Sequence, residues 1–169
     1  LVTMSYPEKY DEKLKFWRLD TLPFIPQEYK YEILPATQKQ FEIVKSLVES
    51  GINYLAVSTL EEAIKVRKLV KTPILCMQPI SISELIKAED NDITITISNY
   101  DYYKELINTN LKLKVHIKLD TGMNRLGINK KEELEEMYNE LLSNKNIKLE
   151  GLYTHMATLG ITDKKWDNQ

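Results

Sequence analysis

Cysteine and glycine are scarce in this chain, and each scarcity excludes something. The single Cys76 cannot close a disulfide within the chain and fits a reducing compartment. Five glycines in 169 residues leave no Gly-rich first turn of the kind that holds phosphate in a doubly wound dinucleotide-binding sheet. Long apolar runs are missing too. None approaches the ~20 residues needed to span a bilayer, and no secretory leader is legible, so a soluble, cytoplasmic protein is expected. Neither sign of charge dominates. A net charge of −2 and a pI near 5.8 give no electrostatic case for nucleic acid. The 43% of hydrophobic residues suffices for one compact core. The chain opens on Leu1 and stops at Gln169 within what reads as a helix start, as a fragment would.

Residues 1–36 are the least regular. Residues 13–19 read as a short helix and residues 29–34 as a strand, with Pro23, Pro26 and Pro35 as punctuation. From Thr37 onward the pattern repeats. Thr37 is placed to cap a helix with Phe41, Val44, Leu47 and Val48 as its apolar stripe and Gly51 as its stop. Strands follow at residues 54–58, 73–77, 93–97, 113–119 and 148–153. Helices lie between them: one capped by Ser58 or Thr59, then residues 83–88, 102–107 and 132–142. The last has Leu134, Met137, Leu141 and Leu142 on its apolar side. Strands alternating with helices predict an α/β fold with a parallel sheet. A partial (β/α)8 barrel of five or six of the eight repeats fits better than a doubly wound sheet, because polar groups face inward on one strand.

That strand is the centre of the pattern. Val115, Ile117 and Leu119 face one side, and His116, Lys118 and Asp120 face the other. The polar face runs into Thr121-Gly122, with Arg125 just beyond. Such a face is either a solvated edge or a site at the carboxyl end of a buried parallel strand, where α/β proteins place their chemistry. Lys118 has two candidate carboxylate partners in Asp120 and Asp92.

The stretch Lys118-Leu-Asp-Thr-Gly-Met-Asn-Arg-Leu-Gly127 resembles the signature after the fifth barrel strand of bacterial alanine racemases. Tyr54-Leu-Ala-Val-Ser-Thr-Leu-Glu-Glu-Ala63 is similar to their second strand and following helix, and Pro73-Ile-Leu75 to their third strand. Leu149-Glu-Gly-Leu-Tyr-Thr-His155 is similar to their sixth. The resemblance covers residues 40–169. It implies a pyridoxal-phosphate enzyme that interconverts L- and D-alanine for peptidoglycan synthesis and is a homodimer when complete. Residues 37–169 would then supply strands 2 to 6 of its barrel.

The resemblance also implies roles. Lys118 stands at the position of a carbamylated lysine, an anion able to orient an arginine by charge-assisted hydrogen bonds. Arg125 stands where that arginine meets the substrate carboxylate and the catalytic tyrosine. His155 matches the histidine that packs against the cofactor ring. Other features of the family are missing. No Tyr-Gly-His-Gly follows Lys30, which leaves Lys30 a weak match to the cofactor-bearing lysine and no recognisable catalytic base. The family's second base, a tyrosine of another domain, falls beyond Gln169. Leu159 and Gly160 stand where members usually carry an acidic residue. Alone, the chain is therefore expected to be inactive. The alternatives are a single-barrel protein that binds pyridoxal phosphate without racemising and a non-catalytic remnant.

Overall fold

The computed structural model describes Val2–Thr3 and residues 36–156. The expected helix at 13–19, the strand at 29–34, Lys30 and residues 157–169 lie outside the described residues. Strands and helices alternate along the rest. The order is β1 (Val2–Thr3), α1 (Ala36–Glu49), β2 (Leu55–Val57), α2 (Leu60–Arg67), β3 (Ile74–Cys76), α3 (Leu85–Asp90), β4 (Thr94–Ile97), α4 (Tyr100–Ile107), β5 (Leu113–Leu119), α5 (Lys131–Ser143) and β6 (Ile147–Thr154). The strands form one sheet in chain order. Neighbours from β2 to β6 pair in parallel, giving the five parallel strands of an incomplete barrel. The short β1 was not foreseen, and it lies antiparallel on β2.

Local chemistry sets the helix ends. α1 already begins at Ala36, so Thr37 lies within it and is not its cap. Gly51, at φ +91°, ends it: its N–H donates to Val48 O and the next N–H, from Ile52, to Leu47 O. That pair of bonds satisfies carbonyls the helix leaves open, and Ile52 and Leu47 both sit in the core. α2 starts with a reciprocal cap. Thr59 Oγ1 accepts from Glu62 N–H, and Glu62 Oε2 accepts from the Thr59 and Ser58 N–H groups. α4 begins two residues before the expected start, because Asn99 Oδ1 accepts from Tyr102 N–H at 2.7 Å.

The sheet has an apolar outer face and a polar inner one. Leu55, Val57, Ile74, Ile95, Ile97, Val115 and Ile117 pack outward under the helices with Ala63, Leu85, Leu106, Met137 and Leu141. Leu142 departs from the expected stripe and is 63% exposed. It follows Leu141 by one residue, and that 100° step carries it off the face that meets the sheet. The cross-strand register puts Thr94 beside Lys114 and Thr96 beside His116 on the inner face. Between β5 and β6 the register slips: Val115 pairs with Leu149, but His116 pairs with Gly151. Glu150 is the extra residue of a β-bulge.

Candidate functional site

The inner face of β5 carries the site. His116 and Lys118 are only 7% and 8% exposed, so the strand is not a solvated edge. The bulge turns both Glu150 and Gly151 inward. The missing side chain of Gly151 leaves room for the His116 ring, since a Cβ there would lie 3.0 Å from Cε1 and 3.1 Å from Nε2. That ring lies between Tyr54 and Tyr153, at centroid distances of 5.4 and 6.4 Å. Among the described residues neither ring nitrogen has a hydrogen-bond partner. Burial therefore pushes the imidazole pKa down, against a smaller upward pull from Glu150.

Around the histidine is a bonded polar layer. The Tyr54 hydroxyl reaches Thr94 Oγ1 at 2.8 Å and Glu150 Oε2 at 3.2 Å, and Thr94 Oγ1 also reaches that carboxylate. Burial pushes the Tyr54 hydroxyl up to about 12, so it stays protonated. Glu150 Oε1 accepts from Lys148 Nζ at 3.0 Å.

One layer up, Lys118 Nζ lies 5.5 Å from the centroid of the Tyr153 ring. Its amine pKa is lowered by burial and next by the Arg125 charge, with Asp120 pulling the other way. Neither candidate partner meets Lys118. Asp92 is taken by Lys114 Nζ at 2.5 Å, and Asp120 is taken by its own loop.

That loop gives the Asp-Thr-Gly-Met-Asn-Arg-Leu-Gly stretch a physical meaning. Asp120 was expected on the inner face, but it lies just past the strand end and turns its carboxylate back. Oδ1 accepts from the Gly122 N–H at 3.0 Å and the Asn124 N–H at 2.9 Å. These backbone bonds hold its pKa below the ordinary carboxylate value. Gly122 and Asn124 supply the positive φ angles that the tight turn needs. At the far end, Gly127 at φ +140° lets the chain touch the strand it left. Asp120 N–H donates to Ile128 O at 2.9 Å, and Ile128 N–H to Lys118 O at 2.8 Å. The loop is thus bonded at both ends, and Arg125 is held at its tip. Arg125 is exposed on a cleft of about 340 Å³ shared with Ser98, Asn99, Asp120 and Asn129. His155 follows β6 directly and is exposed.

A family model described as "Alanine racemase, N-terminal domain" matches residues 39–169. The chain belongs to the alanine racemase family. Alanine racemase 2 of Caldanaerobacter subterraneus subsp. tengcongensis is 35% identical over 131 residues, covering 75% of this chain and 34% of that protein. The crystal structure of alanine racemase from E. faecalis superposes with a TM-score of 0.70 at 27% identity, over 75% of this chain and 36% of that one. Alanine racemase from Bacillus anthracis, solved with bound L-Ala-P, gives a TM-score of 0.65 at 31% identity, over 74% and 33%. The chain thus spans about a third of the length of the alanine racemases it matches.

Lys118 lies within the electrostatic reach of Arg125, and His116 shares its face of β5 one layer below. Tyr153, Thr96, Tyr54 and Glu150 are inner-face residues that the sequence reading passed over. A signal for two of them existed: Thr96 alternates with Ile95 and Ile97, and Tyr153 precedes His155 by two residues.

Proposed function

We propose that this chain forms the β2–β6 wall of the barrel of a pyridoxal-phosphate-dependent alanine racemase, which interconverts L- and D-alanine. The supporting observation is the loop bonded at both ends that carries Arg125 over a strand holding a buried Lys118. Arg125 offers a forked set of donors suited to the substrate carboxylate. Lys118 is a buried amine with a lowered pKa, a state that favours the neutral form needed to take up carbon dioxide as a carbamate. As a carbamate it would orient Arg125. An exposed imidazole at the end of β6 suits His155 to packing against the cofactor ring.

The described residues fit the ring side of pyridoxal phosphate: a cation, a buried amine and an imidazole stand at one end of the sheet. When bound, that group supplies the electron sink that acidifies the substrate α-carbon. Racemisation also needs two bases on opposite faces of that carbon. Neither is recognisable by motif in these 169 residues. We therefore assign the activity to a homodimeric, cytoplasmic enzyme of which this is one part, serving peptidoglycan synthesis, and no activity to the chain alone.

Two measurements test this. The purified chain with pyridoxal phosphate and L-alanine should form no D-alanine by chiral chromatography. D-alanine above the blank would overturn its inactivity and make Lys30 the first residue to replace. Residues 39–156 grafted into the matching place of the Caldanaerobacter enzyme should preserve racemisation. In that chimera Arg125→Ala should cost about 10- to 150-fold in rate, the loss of one charge-assisted contact of roughly 1.5–3 kcal/mol. An active chimera indifferent to Arg125→Ala would remove the role given to that residue.

A further inference from the structure

We propose that Tyr153 is a positioning residue for the Lys118 amine, with its ring pinned across the barrel interior as the platform on which that amine rests. The purpose of the amine rests on the reading above, but the platform is argued from geometry alone. Lys118 and Tyr153 are cross-strand partners on the inner faces of β5 and β6. From β6 the tyrosine reaches across to β4 and the end of β3. Its hydroxyl lies 2.9 Å from Thr96 Oγ1 and 3.3 Å from Met77 O. Counting hydrogens fixes the direction of the shorter bond. Thr96 has one hydroxyl hydrogen, and Cys76 O accepts it at 2.8 Å, so Tyr153 is the donor to Thr96.

A ring held at both ends cannot swing away. A lysine side chain has four rotatable carbon–carbon bonds and strays unless something holds its tip. No carboxylate does so among the described residues, because Asp92 and Asp120 are engaged elsewhere. The Nζ-to-centroid distance of 5.5 Å falls within the ~6 Å over which a ring face attracts a cation. Arg125 and Asp120 are the other charges acting on that amine, and they oppose each other. The ring thus places Lys118, and its pull on the ammonium offsets burial only in part, since the amine pKa stays lowered.

The experiment is lysine Nζ and side-chain NMR on the full 169-residue chain, without cofactor or substrate, with Lys118→Arg assigning the resonance. In the unaltered protein the Lys118 ε-protons should shift upfield and show cross-peaks to the Tyr153 ring. Tyr153→Leu should lower the Lys118 pKa by about 0.4–1.5 units, the span of a cation–π contact. Tyr153→Phe keeps the ring and should restore most of that difference, while Thr96→Val should weaken the cross-peaks. Tyr153 acting only as packing would leave the lysine pKa unmoved. The proposal is overturned if the ring cross-peaks are absent from the unaltered protein, whether or not Tyr153→Leu folds. An unchanged pKa in a folded Tyr153→Leu protein overturns it too. Neither outcome depends on the racemase chimera, so each reading can fail without the other.

Discussion

Three glycines of the chain answer differently to the same substitution. At Gly127 a Cβ would lie 2.5 Å from Asp120 N and 2.6 Å from the Leu119 carbonyl carbon, both backbone atoms that cannot yield. At Gly151 the obstruction is the His116 side chain, which can shift. At Gly51 nothing lies within 4 Å, so only its positive φ is at stake. In urea unfolding, Gly127→Ala should therefore cost the most, more than about 3 kcal/mol, and Gly51→Ala about 1 kcal/mol. Equal costs at the two positions would remove the argument from close approach. The second prediction concerns pH. Burial lowers the His116 pKa below its unfolded value near 6.5, so the unfolded chain binds a proton more readily. The stability from keeping His116 neutral is complete above pH ~6.5 and is lost as pH falls from there toward the folded pKa. The melting temperature should fall on acidification from pH 7 to 5, and His116→Phe should flatten that slope. The placement of His116 and Lys118 was legible because strand alternation is strict. The turning of Asp120 was not, since alternation ends with the strand and backbone N–H groups compete for its carboxylate.

Among the elements, β5 was legible to the residue and the cap of α2 to a choice between Ser58 and Thr59, of which Thr59 serves, because both signals are local. Thr59 and Glu62 satisfy backbone donors reciprocally, so Thr59→Ala should cost about 1 kcal/mol in the same unfolding assay. A change below a few tenths would mean water serves that end equally well. The start of α4 was read two residues late, although Asn99 stood there as a cap. Its first turn, Tyr100-Asp101-Tyr102, lacks the helical formers that usually mark a start, and side chain to backbone bonding decided it. Thr37 shows the converse. A residue able to cap does so only where the chain enters the helix, and here entry comes earlier, at Ala36. β1 was illegible because two residues carry no period.

For the molecule, the repeats were legible and their exposed flank was not. On α5, Glu136 and Glu140 meet Tyr100, Tyr103 and Lys104 of α4, while Met137 and Leu141 meet the sheet. Tyr138 and Leu142 fall on the remaining flank, exposed, as is Leu152 on the outer side of β6. β6 is also the last strand in the sheet order among the described residues. Apolar side chains beside an eight-residue strand that is an edge among the described residues invite pairing with other chains. The chain should self-associate at micromolar concentration in sedimentation velocity, and Leu142→Glu with Leu152→Lys should reduce it. A sharp, concentration-independent monomer would contradict this. The bulge at Glu150 has a further consequence for how such a wall can change over time. It is a spare residue in an otherwise regular alternation: losing Glu150 would leave Leu149, Gly151, Leu152 and Tyr153 opposite the same β5 partners and on the same faces, removing only the carboxylate that Tyr54 and Thr94 reach. Point substitutions along β6 alter one neighbour each, and a single codon lost at position 150 would alter little more, so the strand has room to shorten by one residue there without turning over its faces.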